Sequence, residues 1–132
     1  MGRTTQKKLK ELGAKDQDIP DLIEIFANSS DIDTFREEIG KKHWGAGYLQ
    51  VLDPLFKEIY LKDKHVQEEM HEALQKFGIS KKGLDEYFTS HIKHGDLFIH
   101  TTHEEIPLKE RLQFLEESNG LMYKILKKYL EI

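Results

Sequence analysis

The sequence contains no cysteine, only three prolines and no long uninterrupted run of apolar residues. Without cysteine, disulfides and thiolate metal sites are excluded, so histidine and carboxylate are the only strong metal ligands available. No run approaches the roughly 18 apolar residues that a membrane-spanning helix needs. The N-terminus, MGRTTQKKLKELG, lacks the apolar core of a secretory signal. We therefore expect a cytoplasmic protein that does not associate with membranes.

The composition is typical of a globular domain with strongly solvated helices. The 132 residues are 38% hydrophobic and 33% charged, which is enough apolar material for a core. The formal net charge of -4 argues against broad, nonspecific attraction to nucleic acid. No linker or repeat divides the chain. We expect one helical domain over residues 1–132.

Helical spacing of apolar residues runs through most of the chain, and no segment alternates as a half-buried strand does. This pattern predicts an all-α protein, a single compact bundle or orthogonal array of six to eight short helices. The predicted helices span about 5–12, 20–27, 31–39, 44–61, 64–77, 81–94 and 107–130. Residues 1–15 are mostly polar, which favours fraying. Pro54 predicts a kink or break near Asp53, and a helix at Asn119-Gly120 could continue or split.

Residues with special roles at helix ends support these boundaries. Asp63 and Ser80 are predicted to cap the helices that follow them, and Ser30 is predicted to cap the helix of residues 31–39. Gly13 and Gly78 lie where a helix can end in a left-handed turn. In the last helix, we expect Leu108, Leu112 and Leu115 on the buried side.

The segment HIKHGDLFIHTTH is unusually rich in histidine. Its four histidines are His91, His94, His100 and His103. Imidazole and carboxylate together suit a first-row transition metal or haem, and the single Glu-x-x-His pair, Glu68 and His71, supplies possible further ligands. The alternative is a polar helix end, because His91 and His94 fall in the last turn before Gly95.

Residues 66–92 contain two predicted helices joined by a Gly-Ile-Ser turn. The second half resembles the turn and recognition helix of TetR-type repressors at Gly78, Ile79, Ser80, Leu84, Tyr87 and Phe88. The resemblance covers about one tenth of the chain and implies a helix-turn-helix DNA-binding regulator. Lys81 and Lys82 would then meet the nucleic acid. Asp85 and Glu86 follow on the same exposed face and would repel phosphate.

Two further segments could contact a partner. Trp44 and Tyr48, in KKHWGAGY, could anchor an interface, although such residues also fill the edge of a core. The C-terminal GLMYKILKKYLEI places Lys124, Lys127 and Lys128 opposite an apolar stripe. We expect this helix to dock on the bundle, although a helix lying on a membrane surface has the same pattern.

The sequence contains no Gly-rich phosphate loop, nucleophile elbow or paired-carboxylate motif. Our leading hypothesis is therefore a small helical protein that acts without catalysis, by binding another macromolecule or by self-association. We expect a protein partner or a homo-oligomer. The alternatives are a histidine-rich metal- or haem-binding protein and a DNA-binding regulator.

Overall fold

A computed structural model of the chain describes residues 2–42, 47–89 and 107–132. These residues form seven α-helices and two short 3-10 helices, with no strand among them. The α-helices are α1 Gly2–Glu11, α2 Ile19–Ala27, α3 Ile32–Lys41, α4 Tyr48–Lys62, α5 Lys64–Leu74, α6 Lys81–Thr89 and α7 Arg111–Tyr129. The 3-10 helices are Gln75–Phe77 and Leu108–Glu110. The prediction of an all-α fold with six to eight helices is confirmed.

Side-chain caps define three of the helix starts. The backbone N–H of His65 donates to Asp63 at 2.9 Å, and that of Gly83 donates to Ser80 Oγ at 3.0 Å, as predicted. The prediction for α3 was wrong by one residue, because Asp31 and not Ser30 is the cap. The backbone N–H and the hydroxyl of Thr34 both donate to Asp31 at 2.8 Å. These bonds stabilise the carboxylate and hold the pKa of Asp31 below its ordinary value.

Two helices continue through residues that weaken a helix locally. Helix α4 runs through Pro54 without the break that was one of the two outcomes predicted near Asp53. Helix α7 runs through Asn119 and Gly120 as one element of 19 residues. Both helices lie at the centre of the packing, since α4 contacts α3, α5, α6 and α7, and α7 also contacts α3 and α5. Tertiary burial therefore outweighs the local cost of proline or glycine.

One group of aromatic rings joins α2, α3 and α7. Phe26 lies 4.9 Å from Phe35 and 5.8 Å from Tyr123 between ring centroids, and Phe35 lies 5.4 Å from Tyr123. The Tyr123 hydroxyl donates to the carbonyl oxygen of Ser29 at 2.7 Å, so its polar end is also satisfied. This group ties the C-terminal helix to the N-terminal half of the chain.

A second aromatic group joins α4, α6 and α7. Tyr60 stacks on Phe88 at 4.9 Å, and Tyr87 lies 5.2 Å from Phe114. Phe77 meets Phe114 edge to face at 5.5 Å. The two aromatic groups belong to one buried cluster that extends from Leu9 to Leu130 along the chain.

Helix α1 is docked by the C-terminal residues of the chain. Leu9 and Thr5 are fully buried. The Thr5 hydroxyl donates to the carbonyl oxygen of Leu130 at 2.9 Å, and Lys8 Nζ donates to that of Tyr129 at 2.7 Å. The polar composition that favoured fraying does not reveal these bonds, because their partners lie more than 100 residues away in sequence.

One leucine that was expected on the buried side of α7 is exposed. Leu112 is 69% exposed, whereas Phe114 is fully buried between Phe77 and Tyr87. The prediction that Leu112 lies on the buried side was therefore wrong. The leucine spacing alone did not indicate which side of the helix the aromatic residues of α6 and the preceding 3-10 helix would contact.

Glycine substitutions are expected to have opposite effects at two positions. Gly120 lies within α7, and a Cβ atom there would meet nothing within 4 Å. We expect Gly120→Ala to raise the free energy of unfolding by about 0.5–1 kcal/mol, since alanine restricts the unfolded chain and favours helix. Gly13 has φ +96° with equally open surroundings. Gly13→Ala should lower the free energy of unfolding by about 1–2 kcal/mol, because a Cβ atom strains the left-handed backbone.

Urea denaturation of both variants measures the two effects. A loss of stability in Gly120→Ala, or a gain in Gly13→Ala, would contradict this account of the backbone. Gly40→Ala repeats the first change at a second site, because Gly40 lies in α3 and its Cβ position is also open, and a gain of the same sign is expected.

Candidate binding groove

Several predicted site residues lie outside the residues that the structure describes. These are Trp44 and the four clustered histidines, His91, His94, His100 and His103. Within residues 2–42, 47–89 and 107–132, no group of three or more His, Cys, Asp or Glu side chains is placed to hold a metal ion.

Glu68 and His71, the possible additional metal ligands, both lie on α5. Glu68 is exposed, and its Oε2 lies 4.0 Å from Nδ1 of His65, which is also exposed. His71 is half-buried. The carboxylate of Glu68 is therefore closest to a histidine that the sequence analysis did not select.

Lys81 and Lys82 are exposed at the start of α6, where the sequence placed them. Asp85 is only partly exposed, because its carboxylate bonds to a residue of α4. The Tyr60 hydroxyl donates to Asp85 Oδ1 at 2.5 Å, and α6 packs against α4 through this region. Burial, together with the negative charge of Asp85, raises the pKa of Tyr60. Glu86 remains exposed beside the two lysines.

Tyr48 lies at the start of α4 and is half-buried. The guanidinium carbon of Arg36 lies 5.8 Å from the centre of its ring, within the range of a cation–π contact. Tyr48 thus joins α3 to α4, and its ring also packs against the core. A half-buried position at the edge of the core fits both interpretations of Tyr48, as an interface anchor and as a residue that fills the edge of the core.

An apolar depression adjoins α5 and α7 in the described part of the chain. One section has a volume of about 450 Å³, within the usual range of ligand pockets. Its apolar floor consists of Ile59, Val66, Leu121, Ile125 and Tyr129. Its charged or titratable rim consists of Lys8, Asp63, His65, Glu69, Lys124, Lys128 and Glu131.

A second section of about 320 Å³ continues the depression along the same two helices. It is lined by Ala73, Leu74, Glu117, Gly120, Leu121 and Lys124. Leu121 and Lys124 line both sections, so the two depressions adjoin, and we call them together the α5–α7 groove. From Glu117 to Lys128, α7 rises about 16 Å at 1.5 Å per residue.

Some of the charged side chains that line the groove already make hydrogen bonds or ion pairs within the protein, and others do not. Lys8 donates to the Tyr129 carbonyl and lies 3.8 Å from Glu131, so these two charges offset each other. Asp63 caps α5. Lys124 and Lys128 on the α7 side, and Glu69 on the α5 side, are exposed and have no hydrogen bond or ion pair among the described residues. Burial, and the negative charges of Glu11 and Asp63, raise the pKa of Tyr129 at the floor.

A groove of similar volume lies between α1 and α2 but has a different lining. Its 440 Å³ are bordered mainly by Arg3, Gln6, Lys7 and Lys10, with Ile19 and Pro20 as the apolar part. Lys10 Nζ lies 3.4 Å from Asp16. Two apolar residues line this groove, whereas five line the first section of the depression beside α5 and α7.

Sequence reasoning identified only part of the α5–α7 groove. It selected Lys124, Lys127 and Lys128, and the structure separates them, because Lys127 Nζ donates to the carbonyl oxygen of Ser29 at 2.7 Å. It did not select Val66 or Glu69 as groove residues. The helical spacing on α5 indicated a buried face, but not that α7 would leave a trough beside it.

Comparison of the chain with protein-family models, curated proteins and solved structures gave no match. In the described part of the chain, no helix has the length and apolar character needed to cross a membrane.

Proposed function

We propose that this protein is a binding module that holds an α-helical segment of a partner protein in the α5–α7 groove, without catalysing a reaction. The observation that carries the proposal is the shape of the groove, an apolar trough that continues through two sections along α5 and α7. The stretch of α7 that borders it rises about 16 Å, which matches about three turns of a helix. Recognition of an amphipathic helix by an apolar groove is a recurrent mode of protein binding.

The lining of the groove supports this occupant. Leu121 and Ile125 are half-buried, so each retains apolar surface that a ligand can cover. Val66 and Ile59 form the deeper part of the floor. Above Gly120, the open space could receive a large side chain of the bound helix. An apolar stripe at positions i, i+4 and i+7 of a helix would cover these residues in order.

The proposal can be tested with a displayed library of helical peptides of about 14 residues, roughly 21 Å long. Every member keeps an apolar stripe, and the flanking positions vary. We expect selection on the purified full chain to enrich peptides whose binding shifts the backbone amide resonances of Val66, Leu121 and Ile125. Failure to enrich any peptide, or binding that leaves these resonances unchanged, would overturn the proposal.

Two variants locate the binding. Leu121→Glu places a charge on the floor, and Gly120→Leu fills the adjoining space without introducing a charge. Each variant is expected to bind the selected peptides at least tenfold more weakly, a loss of about 1.4 kcal/mol in binding free energy. Leu61→Glu is the matched control, since Leu61 is 49% exposed and does not line the groove. If Leu121→Glu unfolds the chain, Gly120→Leu decides. Equal affinity for the wild type and Gly120→Leu would contradict the assigned location.

Self-association is distinguished by the oligomeric state. We expect the free protein to sediment as a monomer and the selected peptides to leave that state unchanged. A dimer that the peptides dissociate would instead identify a second copy of the chain as the occupant of the groove and would overturn the proposal of a separate partner.

A further inference from the structure

We infer that the helix held by the α5–α7 groove carries two acidic residues one turn apart, on the flank that faces Lys124 and Lys128. This inference rests on the proposed function, because it specifies the chemistry of the partner of that same groove.

The two lysines are placed to act as a pair. They are four residues apart on α7, so they lie on one face of the helix with a rise of about 6 Å between them. Both line the groove and both are exposed. Neither has a hydrogen bond or ion pair in the described part of the chain, whereas Lys8, the third lysine of the rim, already contacts Glu131 and the Tyr129 carbonyl. Two ammonium groups are therefore available to a ligand.

The opposite wall carries the opposite charge. Glu69 on α5 lines the same section and is exposed without a partner among the described residues. Asp63, just before the start of α5, lines the section as well, with its side chain engaged as the helix cap. On the α7 side, Glu117 and Glu131 also line the groove, but they are paired with Lys76 and Lys8. A ligand helix in the trough thus lies between two lysines of α7 and one glutamate of α5 that have no partner among the described residues. Acidic residues of the ligand are favourable on the side that faces α7. On the side that faces α5 they would lie close to Glu69, which has the same charge.

A helix matches this pattern because acids at i and i+4 have the same spacing as Lys124 and Lys128. Between the two walls, the half-buried Leu121 and Ile125 require an apolar stripe in the middle of the ligand. The required ligand is therefore an amphipathic helix with an apolar stripe and with two acidic residues along one edge, spaced as in Glu-x-x-x-Glu. Its other edge is neutral or basic.

The inference can be tested by repeating the peptide selection on a double variant, Lys124→Glu with Lys128→Glu. We expect the wild type to enrich peptides with acids four residues apart on one flank, and the double variant to enrich lysine or arginine there. Exchanging glutamate for lysine on that flank should weaken binding to the wild type roughly 3- to 10-fold at low salt. The same exchange should strengthen binding to the double variant, and both effects should diminish as added salt screens the charges.

The matched control is the double variant Lys81→Glu with Lys82→Glu. It makes the same change in net charge at exposed positions on α6, outside the groove. We expect it to select the same peptides as the wild type. If it shifts the selection as strongly as the groove variant does, the charge preference is a property of the whole protein and the inference is overturned.

The outcomes separate the inference from the proposed function. Enriched peptides that depend on Gly120 but show no charge preference would overturn the inference and leave the groove as the binding site. Peptides whose binding does not depend on Gly120 would overturn the proposed function. Competition by an anionic amphiphile such as decanoate, at concentrations well below its micelle-forming range and with the strongest effect on the wild type, would identify a small amphiphile as the occupant and overturn the helix.

Discussion

Phe114→Ala is expected to lower the free energy of unfolding by about 3–5 kcal/mol, the range found for large-to-small changes at buried phenylalanines. Phe114 is fully buried and packs against both Phe77 and Tyr87. Removal of its ring leaves a cavity that rigid neighbouring helices can close only in part. Because small domains are stabilised by only about 5–15 kcal/mol, this single change removes a large part of the total. Urea denaturation followed by circular dichroism measures the loss.

Leu112→Ala is the control for this prediction. Leu112 lies two residues earlier along the same helix and was expected on the buried side from sequence, yet it is 69% exposed. We expect its replacement to change the free energy of unfolding by no more than about 0.5 kcal/mol. A larger loss from Leu112→Ala than from Phe114→Ala would show that the leucine pattern, and not the aromatic contacts, defines the buried face of α7.

Leu9→Ala is expected to lower the free energy of unfolding by about 2–4 kcal/mol, because Leu9 is fully buried where α1 docks. If α1 frayed independently, the same substitution would cost only a few tenths of a kcal/mol, as at other exposed helical positions. The measurement therefore reports on docking as well as on side-chain volume. Amide hydrogen exchange gives a second reading, with protection in α1 expected to fall in the variant.

Lys7→Ala is the matched control in α1, since Lys7 is exposed and lies two residues from Leu9. Its effect should be near zero. Equal and small effects from Leu9→Ala and Lys7→Ala would contradict the docking of α1 against the C-terminal residues.

Local chemistry in the sequence was sufficient to predict several helix ends. Asp63 and Ser80 cap their helices as expected, and Gly13 and Gly78 adopt positive φ angles. These features depend on residues within one turn of each other, so a short stretch of sequence contains all the interacting groups. The error at the start of α3 is also local, a shift of one residue. Ser30 and Asp31 are both good capping residues, and the backbone geometry selects Asp31.

The candidate site depended on contacts that local chemistry does not contain. Histidine spacing led to His91 and His94, which lie outside the described residues, and TetR-like spacing led to Lys81 and Lys82. Asp85 shows why such spacing was insufficient, because its side chain is partly buried and bonds to Tyr60, 25 residues earlier.

From its amino acids alone, this chain was expected to be all-α, with helices ended by capping residues and glycines, because helical periodicity and end chemistry act over a few residues. The tertiary packing determined which face of α7 is buried, how α1 is held and where Lys124 and Lys128 border a trough with Glu69 across from them. Each of these features brings together side chains or backbone groups from distant parts of the chain. Their positions follow from how the helices pack, which no local pattern encodes.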